Sequence, residues 1–181
     1  AGFSRRSLLS ESTNYWRFLN TKIPTHVKLK FRTVVLGGTF DTLHSGHVKL
    51  LATATLIGDR ILIGLTSDAF ASTYKQYKVR PFSARLANIR NLLSLIAPDK
   101  DVVYAEINDP YGPAVTDPRL EALVASIETA PRALEINDER AKRGLRPMEL
   151  IIISTVRDGY GHILSSTYIR RALEHMRLEP K

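Results

Sequence analysis

Residues 37–47 read Gly37-Gly38-Thr39-Phe40-Asp41-Thr42-Leu43-His44-Ser45-Gly46-His47, and they join a predicted strand directly to a predicted helix. The strand is the run of β-branched and apolar residues at 33–36. The helix is indicated by apolar residues at helical spacing, namely Val48, Leu51, Ala52 and Leu56. A strand that passes through a glycine-containing turn into a helix is typical of the first unit of a parallel α/β sheet.

The rest of the chain continues this alternation. Further strands are predicted at residues 60–65, 101–107, 123–126 and 149–155. Helices are predicted behind an N-cap at Ser83, at 133–143 before Gly144, and at 166–176, while the prolines of residues 109–118 indicate a stiff loop. The sequence therefore predicts an α/β fold, a Rossmann-like, doubly wound, five-stranded parallel sheet with helices on both faces. Ligands of such sheets bind at the carboxyl ends of the strands.

Composition limits the class of protein. The 181 residues suit one domain, and 44% hydrophobic with 24% charged residues is ordinary for a soluble globular chain. No apolar run is long enough to cross a membrane and no secretory signal is recognisable, so a cytoplasmic location without membrane partners is expected. The absence of cysteine excludes disulfides, thiol nucleophiles and Cys-ligated zinc.

The net charge of +8 lies mostly at the N-terminus. Residues 1–32 contain seven basic residues against Glu11 alone. This divides the chain into a basic extension at 1–31 and a mildly basic domain at 32–178, which suits small anionic ligands better than nucleic acid. The extension is interpreted as a solvated arm, and a transit peptide is the alternative. The oligomeric state stays open, with a monomer favoured.

The segment 37–47 has the chemistry of an anion site. Its two glycines let a ligand approach the backbone, and Thr39 adds a hydroxyl donor. His44 and His47 are three residues apart at the start of a helix, whose positive end and free N–H groups favour phosphate. Zinc is disfavoured, because Asp41 is the one nearby acidic residue that could complete a site.

These residues resemble a known signature. His44-Ser45-Gly46-His47 is similar to the HxGH motif of the nucleotidyltransferase superfamily. A second superfamily motif, which opens a C-terminal helix and binds phosphate, is matched by the stretch Leu164-Ser165-Ser166-Thr167-Tyr168-Ile169-Arg170. Adjacent hydroxyls at a helix N-terminus form a second anion site on physical grounds as well, although such residues also serve as ordinary N-caps.

The resemblance implies the roles of the site residues. His44 and His47 would bind the α- and β-phosphates of ATP and stabilise the transition state, Thr39 would orient the acceptor phosphate, and Arg170 would add charge; these four are the predicted catalytic residues. Magnesium is expected with ATP, and no protein ligand for it is predicted. The predicted nucleotide-binding residues are Gly37, Gly38, Thr39, Phe40, His44, Gly46, His47, Ser126, Thr129, Ser165, Ser166, Thr167 and Arg170.

The remaining loops resemble one family within this superfamily, the archaeal and eukaryotic phosphopantetheine adenylyltransferases. The likeness spans about residues 33–173 and includes residues 64–68, 81–85, 109–114 and 126–129. It implies 4′-phosphopantetheine as acceptor, with dephospho-coenzyme A and pyrophosphate as products. The acceptor-binding residues it implies are Thr66, Asp68, Lys75, Lys78, Arg80, Arg85, Asp109, Tyr111 and Gly112.

The chain also departs from this family. Ile127 stands where the family usually has Glu, residues 130–133 replace a glycine-rich stretch, and Tyr168 replaces a common Arg. Two alternatives stay open. One is a related nucleotidyltransferase that uses CTP or another acceptor. The other is a non-catalytic protein that binds nucleotides or nucleic acid through its basic arm.

Overall fold

The computed structural model describes residues 31–169. Along this part of the chain the elements are β1 (Phe31–Gly38), α1 (Ser45–Ile57), β2 (Gly58–Thr66), α2 (Asp68–Tyr74), α3 (Phe82–Ile96), β3 (Asp101–Ile107), a 3₁₀ helix (Gly112–Val115), β4 (Ala122–Ser126), α4 (Ala130–Lys142) and β5 (Glu149–Ile153). A further helical turn begins at residue 166. None of the helices within residues 31–169 combines the length and the apolar character needed to cross a bilayer.

The five strands form one parallel sheet in the order β3-β2-β1-β4-β5. Successive side chains of β1 point to opposite faces, so Val34 and Leu36 enter one apolar core while Val35 enters another. The first core includes Leu51 of α1 and Ile89 of α3, and the second is formed with α4 and the 3₁₀ helix. The predicted doubly wound α/β fold is thus confirmed.

The strand order reverses between β1 and β4, and the pairing there is short. β1 pairs with β2 along its whole length, from Phe31 to Gly38. With β4 it pairs only at Val34 and Val35. Because the two strands diverge beyond Val35, a cleft opens at their carboxyl ends, as expected at the switch point of a doubly wound sheet.

Each predicted strand is present, but some element limits differ from the predictions. β5 ends at Ile153 rather than at residue 155. The helix α2 was not predicted, because seven residues are too short to display a helical repeat. The prediction that Ser83 caps α3 was wrong: the helix begins at Phe82, and the Phe82 N–H donates to the Asp68 carboxylate over 3.1 Å.

The helix α4 begins three residues earlier than predicted. Pro131 fits its first turn, where the missing N–H leaves no bond unmade. Its predicted end is confirmed, since Gly144 has φ +70° and the Leu145 N–H returns to the Arg140 carbonyl over 2.9 Å. The predicted limits of the domain, 32 and 178, stay a prediction, and residue 178 lies outside the described residues. The last predicted helix, 166–176, is described only as far as residue 169.

A buried arginine of α4 holds the loop after β3. The side chain of Arg140 has no exposed surface, and it donates to the carbonyls of Ala114 and Asp117 at 2.7 and 2.9 Å and to that of Arg146 at 2.9 Å. Buried charge of this kind requires such partners. The predicted stiff loop therefore owes its shape to a cation beneath it as well as to its prolines.

Candidate active site

A cleft of about 740 Å³ lies at the carboxyl ends of β1, β4 and β5. Its walls come from the segment after β1, the start of α1, the end of α2 and the segment that opens the last helical turn. Of the predicted nucleotide-binding residues, those within residues 31–169 all line this cleft: Gly37, Gly38, Thr39, Phe40, His44, Gly46, His47, Ser126, Thr129, Ser165, Ser166 and Thr167. Arg170 lies outside the described residues.

His44 forms the N-cap of α1. Its Nδ1 accepts the N–H of Gly46 over 3.2 Å, which satisfies one of the free donors of the first turn. The proton of a neutral His44 therefore sits on Nε2. A side chain on residue 46 would prevent this arrangement, since a Cβ there would lie 2.9 Å from the His44 ring. Gly46 is thus required because the His44 side chain lies over the end of the helix.

His47 lies directly beside His44, with ring centroids 3.8 Å apart, and its other neighbour is Phe40 at 5.0 Å. Burial lowers the pKa of His47 from 6.5 to about 3; repulsion from His44 and Lys75 acts in the same direction, and the Thr42 backbone opposes it. Burial also lowers the pKa of His44, against the attraction of Glu128. Both rings are therefore neutral hydrogen-bonding groups at neutral pH.

Phe40 gives this turn its shape. It has φ +51°, a conformation that is uncommon for a residue with a side chain, and its own side chain is buried. The strained turn places the ring beneath His47 and directs the following residues toward the helix. Strain of this kind is typical of functional turns, where the surrounding packing holds it in place.

Thr39 is held at two points. Its carbonyl accepts a 2.8 Å hydrogen bond from Arg85, and its hydroxyl lies 2.7 Å from the hydroxyl of Tyr74. The Arg85 guanidinium also donates to the carbonyls of Thr66 and Arg80 and to the carboxylate of Asp68, at 2.9, 2.7 and 2.6 Å. This single buried cation therefore ties together the ends of β1 and β2.

The second predicted anion site faces the first. The Ser166 hydroxyl donates to the Thr42 carbonyl over 3.0 Å and accepts the Thr42 N–H over 3.3 Å. The Ser165 hydroxyl accepts the N–H of Tyr168 and so caps the helical turn. This is the ordinary N-cap role that the sequence also allowed. The two phosphate motifs are thus joined through side-chain and backbone hydrogen bonds.

Tyr168, which departs from the family pattern, does not line the cleft. Its hydroxyl donates to the Asp158 carboxylate over 2.7 Å, and the same carboxylate lies 3.2 Å from the ring of His162. These contacts, the Tyr168 bond first, hold the pKa of Asp158 well below its usual range. Tyr168 therefore fixes the turn that precedes the second motif.

The loop after β4 closes one end of the cleft. The Thr129 hydroxyl accepts the N–H of Ser126 at 3.1 Å, which makes a compact turn. Glu128 lines the cleft from this turn, whereas the side chain of Ile127 is exposed. The family departure at Ile127 therefore falls on the outer side of the loop.

The structure separates the predicted acceptor residues into two groups. Thr66, Lys75 and Tyr111 line the cleft. The others lie outside its lining: Asp68, Lys78, Arg80, Arg85, Asp109 and Gly112.

For three residues of the second group, Arg85, Asp68 and Asp109, the contacts give a role in the fold rather than the predicted one. Arg85 is fully buried with its donors on protein groups, so in this structure it holds the fold, and its predicted contact with the acceptor stays a prediction. Asp68 binds Arg85, which lowers the pKa of its carboxyl. The carboxylate of Asp109 accepts the N–H groups of Tyr111 and Gly112, each over 2.7 Å, as a turn residue does.

Arg80 and Gly112 also act on the fold. Arg80 donates its backbone N–H to the buried carboxylate of Asp41 over 2.9 Å, and its guanidinium lies 3.6 Å from the same group. Gly112 has φ +52°, and a Cβ there would meet Ile107 at 2.4 Å. Lys78 keeps no described contact with the cleft, and its predicted role stays a prediction.

Sequence reasoning missed several residues of the cleft wall. Tyr74 and Tyr77 line it from α2 and the turn that follows, and Arg132 lines it from the first turn of α4. The guanidinium of Arg132 lies 5.5 Å from the ring centre of Tyr111. An aromatic-rich stretch next to Lys75 was the available signal, but without the unpredicted helix α2 its direction could not be assigned.

Comparisons with known proteins show which proteins this chain is similar to. The family model described as cytidylyltransferase-like matches residues 35–172. The phosphopantetheine adenylyltransferase of Pyrobaculum aerophilum is 86% identical over 148 residues, which cover 82% of this chain and 96% of that protein. This chain belongs to the phosphopantetheine adenylyltransferase family. The family member from Methanopyrus kandleri is 41% identical over 78% of this chain and 90% of its own length.

A solved structure supports the fold of this phosphopantetheine adenylyltransferase family member. The protein of unknown function from Archaeoglobus fulgidus is 35% identical, with a TM-score of 0.62, over 73% of this chain and 99% of the other. The residues that match the family model include both phosphate motifs. The second motif is described in the structure as far as residue 169. The chain is accordingly a nucleotidyltransferase by family.

Proposed function

We propose that this chain transfers the adenylyl group of ATP to 4′-phosphopantetheine and releases dephospho-coenzyme A and pyrophosphate. The observation that carries the proposal is the pair of facing anion sites, joined through Ser166 and Thr42, at the switch point of the sheet. A triphosphate laid between them would meet His44 and His47 from one side and the hydroxyls of Ser165 and Thr167 from the other. The relatives named above carry the same activity in their names.

The reaction follows from what this cleft provides. A phosphate oxygen of the acceptor attacks the α-phosphorus of ATP in line, the new phosphorus–oxygen bond forms, and the bond from the α-phosphorus to the oxygen bridging to the β-phosphate breaks. Pyrophosphate leaves with that oxygen and its electron pair. No covalent nucleophile of the protein is required, so the side chains act by positioning and by donating hydrogen bonds to the charged oxygens.

The neutral state of the histidines suits this role. A neutral imidazole donates one N–H, and on His44 that donor is Nε2, because Nδ1 is already bonded to Gly46. Donors fixed before the reaction cost no reorganisation when charge builds on the phosphoryl oxygens. Thr39, which lines the cleft, would donate from its hydroxyl to the acceptor phosphate.

Magnesium would enter as part of the substrate, bound to the phosphates of ATP. Among residues 31–169 there is no group of three or more His, Asp or Glu side chains that could hold a metal ion. The roles given above involve the side chains of the described residues alone. We propose the cytoplasm as the compartment, since ATP and phosphopantetheine are available there.

The test is pyrophosphate release by the purified chain with ATP and magnesium, comparing 4′-phosphopantetheine with nicotinamide mononucleotide and repeating each with CTP. Release with ATP and phosphopantetheine alone is expected, with dephospho-coenzyme A as product. The variant His47→Ala should retain the fold and lose about a hundredfold in kcat, the effect of removing one transition-state donor. Release with CTP or with the mononucleotide instead would assign the chain another substrate pair.

A further inference from the structure

We infer that Tyr74 is a positioning residue for this reaction: its hydroxyl fixes the direction in which Thr39 donates its proton to the acceptor phosphate. The inference rests on the proposed function, in which Thr39 meets that phosphate. It is carried by the distance of 2.7 Å between the hydroxyl oxygens of Thr39 and Tyr74. Both side chains lie on the wall of the cleft.

The hydrogen-bonding capacity of the two groups sets the direction of the bond. A hydroxyl has one proton to donate and two lone pairs to accept with. An ionised phosphate has acceptors only, so Thr39 must direct its own proton to the phosphate. Tyr74 is then the donor in the pair, and Thr39 the acceptor. Each bond in such a chain polarises the next, which strengthens the donation to the phosphate.

The main chain of Thr39 is fixed independently. Its carbonyl accepts from the buried guanidinium of Arg85 over 2.8 Å, which holds the backbone in place. What this bond leaves free is the rotation of the side chain and of its hydroxyl proton. The Tyr74 contact restricts that remaining freedom, so the two bonds together define where the Thr39 donor points.

Tyr74 is itself held in position without being part of the core. It ends α2, whose first turn is capped by the Ser67 hydroxyl accepting the Phe70 N–H over 3.1 Å. Its ring packs edge-on against Phe70 at 5.3 Å, and the Lys75 ammonium lies 5.5 Å from the ring centre. Because 47% of the residue stays exposed, removing the hydroxyl opens no cavity.

The first experiment compares Tyr74→Phe with the unmodified chain in steady-state kinetics. We expect kcat/KM for phosphopantetheine to fall about tenfold, while the KM for ATP and the thermal midpoint stay unchanged. Tyr160→Phe is the matched control, because Tyr160 is 90% exposed and does not line the cleft. The inference would be overturned if Tyr74→Phe left kcat/KM for phosphopantetheine unchanged, or if kcat/KM for ATP fell by the same factor.

The second experiment shows whether Tyr74 acts through Thr39. In the background of Thr39→Val, adding Tyr74→Phe should cause no further loss; in that of Thr39→Ser, which keeps a hydroxyl, the tenfold loss should return. A full loss in the valine background would mean that Tyr74 acts by another route. If the unmodified chain uses no phosphopantetheine at all, the proposed function fails first, and this inference fails with it.

Discussion

The burial of His47 makes a measurable prediction for the stability of the folded chain. Its pKa is about 3 in the native state against 6.5 for an ordinary histidine. As the pH falls, the unfolded chain therefore takes up the proton first, and the free energy of unfolding decreases from about pH 6.5 downward. Through this group alone, the free energy of unfolding should be about 2 kcal/mol lower at pH 5 than at pH 7.5. It stops falling at about pH 3, where His47 of the folded chain also takes up its proton.

The assay is urea unfolding at pH 7.5 and pH 5.0, followed by circular dichroism, for the unmodified chain and for His47→Gln. Glutamine keeps a polar side chain of similar length and does not titrate. The difference in unfolding free energy between the two proteins should change by about 2 kcal/mol between the two pH values, in favour of the variant at pH 5. Other titrating groups are common to both proteins and cancel in this comparison. A difference that stays constant within about 0.5 kcal/mol would show that His47 is not held neutral by burial.

Three further predictions follow from the contacts around the cleft. Arg85→Ala leaves several carbonyls without a donor and should lower the unfolding free energy by about 3–5 kcal/mol, measured by denaturant titration. Ser166→Ala breaks both bonds to Thr42 and should raise the KM for ATP roughly fivefold to tenfold, from a loss of about 1 kcal/mol, with the acceptor KM unchanged in steady-state kinetics. Gly112→Ala forces a Cβ against Ile107 and should lower the thermal midpoint by an amount equivalent to about 1–3 kcal/mol.

Each of these has a contrary outcome. An Arg85 variant that unfolds within about 1 kcal/mol of the unmodified chain would mean that its carbonyl partners find water, and Arg85→Lys is the control that keeps the charge but not the fork of donors. Equal losses for ATP and acceptor in the Ser166 variant would contradict its place on the nucleotide side. A neutral effect at Gly112, with Gly144→Ala as a comparison at another positive φ, would show that the loop shifts to make room.

The strands and both phosphate motifs could be predicted because their signals are local. Each β-branched run is contained within a few residues, and so is the spacing of glycines and histidines after β1. The structure that each of them forms follows from those residues alone. The two sites also had to meet, since parallel strands place their carboxyl ends at one edge of the sheet. The structure bears out that meeting through Ser166 and Thr42.

The roles of the basic residues could not be predicted in this way. Arg85 looks like a ligand-binding cation in the sequence, yet its partners Thr39 and Thr66 lie 46 and 19 residues away along the chain. Whether an arginine on a helix points inward or outward is decided by such distant acceptors. Tyr74 was missed for another reason, since it belongs to a helix of seven residues whose existence rests on its cap and on tertiary contacts.

The short pairing between β1 and β4 has a consequence for how the folded chain opens. The sheet is joined across that seam by two register pairs, against seven between β1 and β2, so thermal breathing and amide exchange should begin there. A nucleotide seated in the cleft would touch both sides of the seam. At a hundred times its Kd, a ligand that binds only the folded state adds about 2.7 kcal/mol. The lifetime of this enzyme against heat and proteolysis would then rise and fall with the supply of its own substrate.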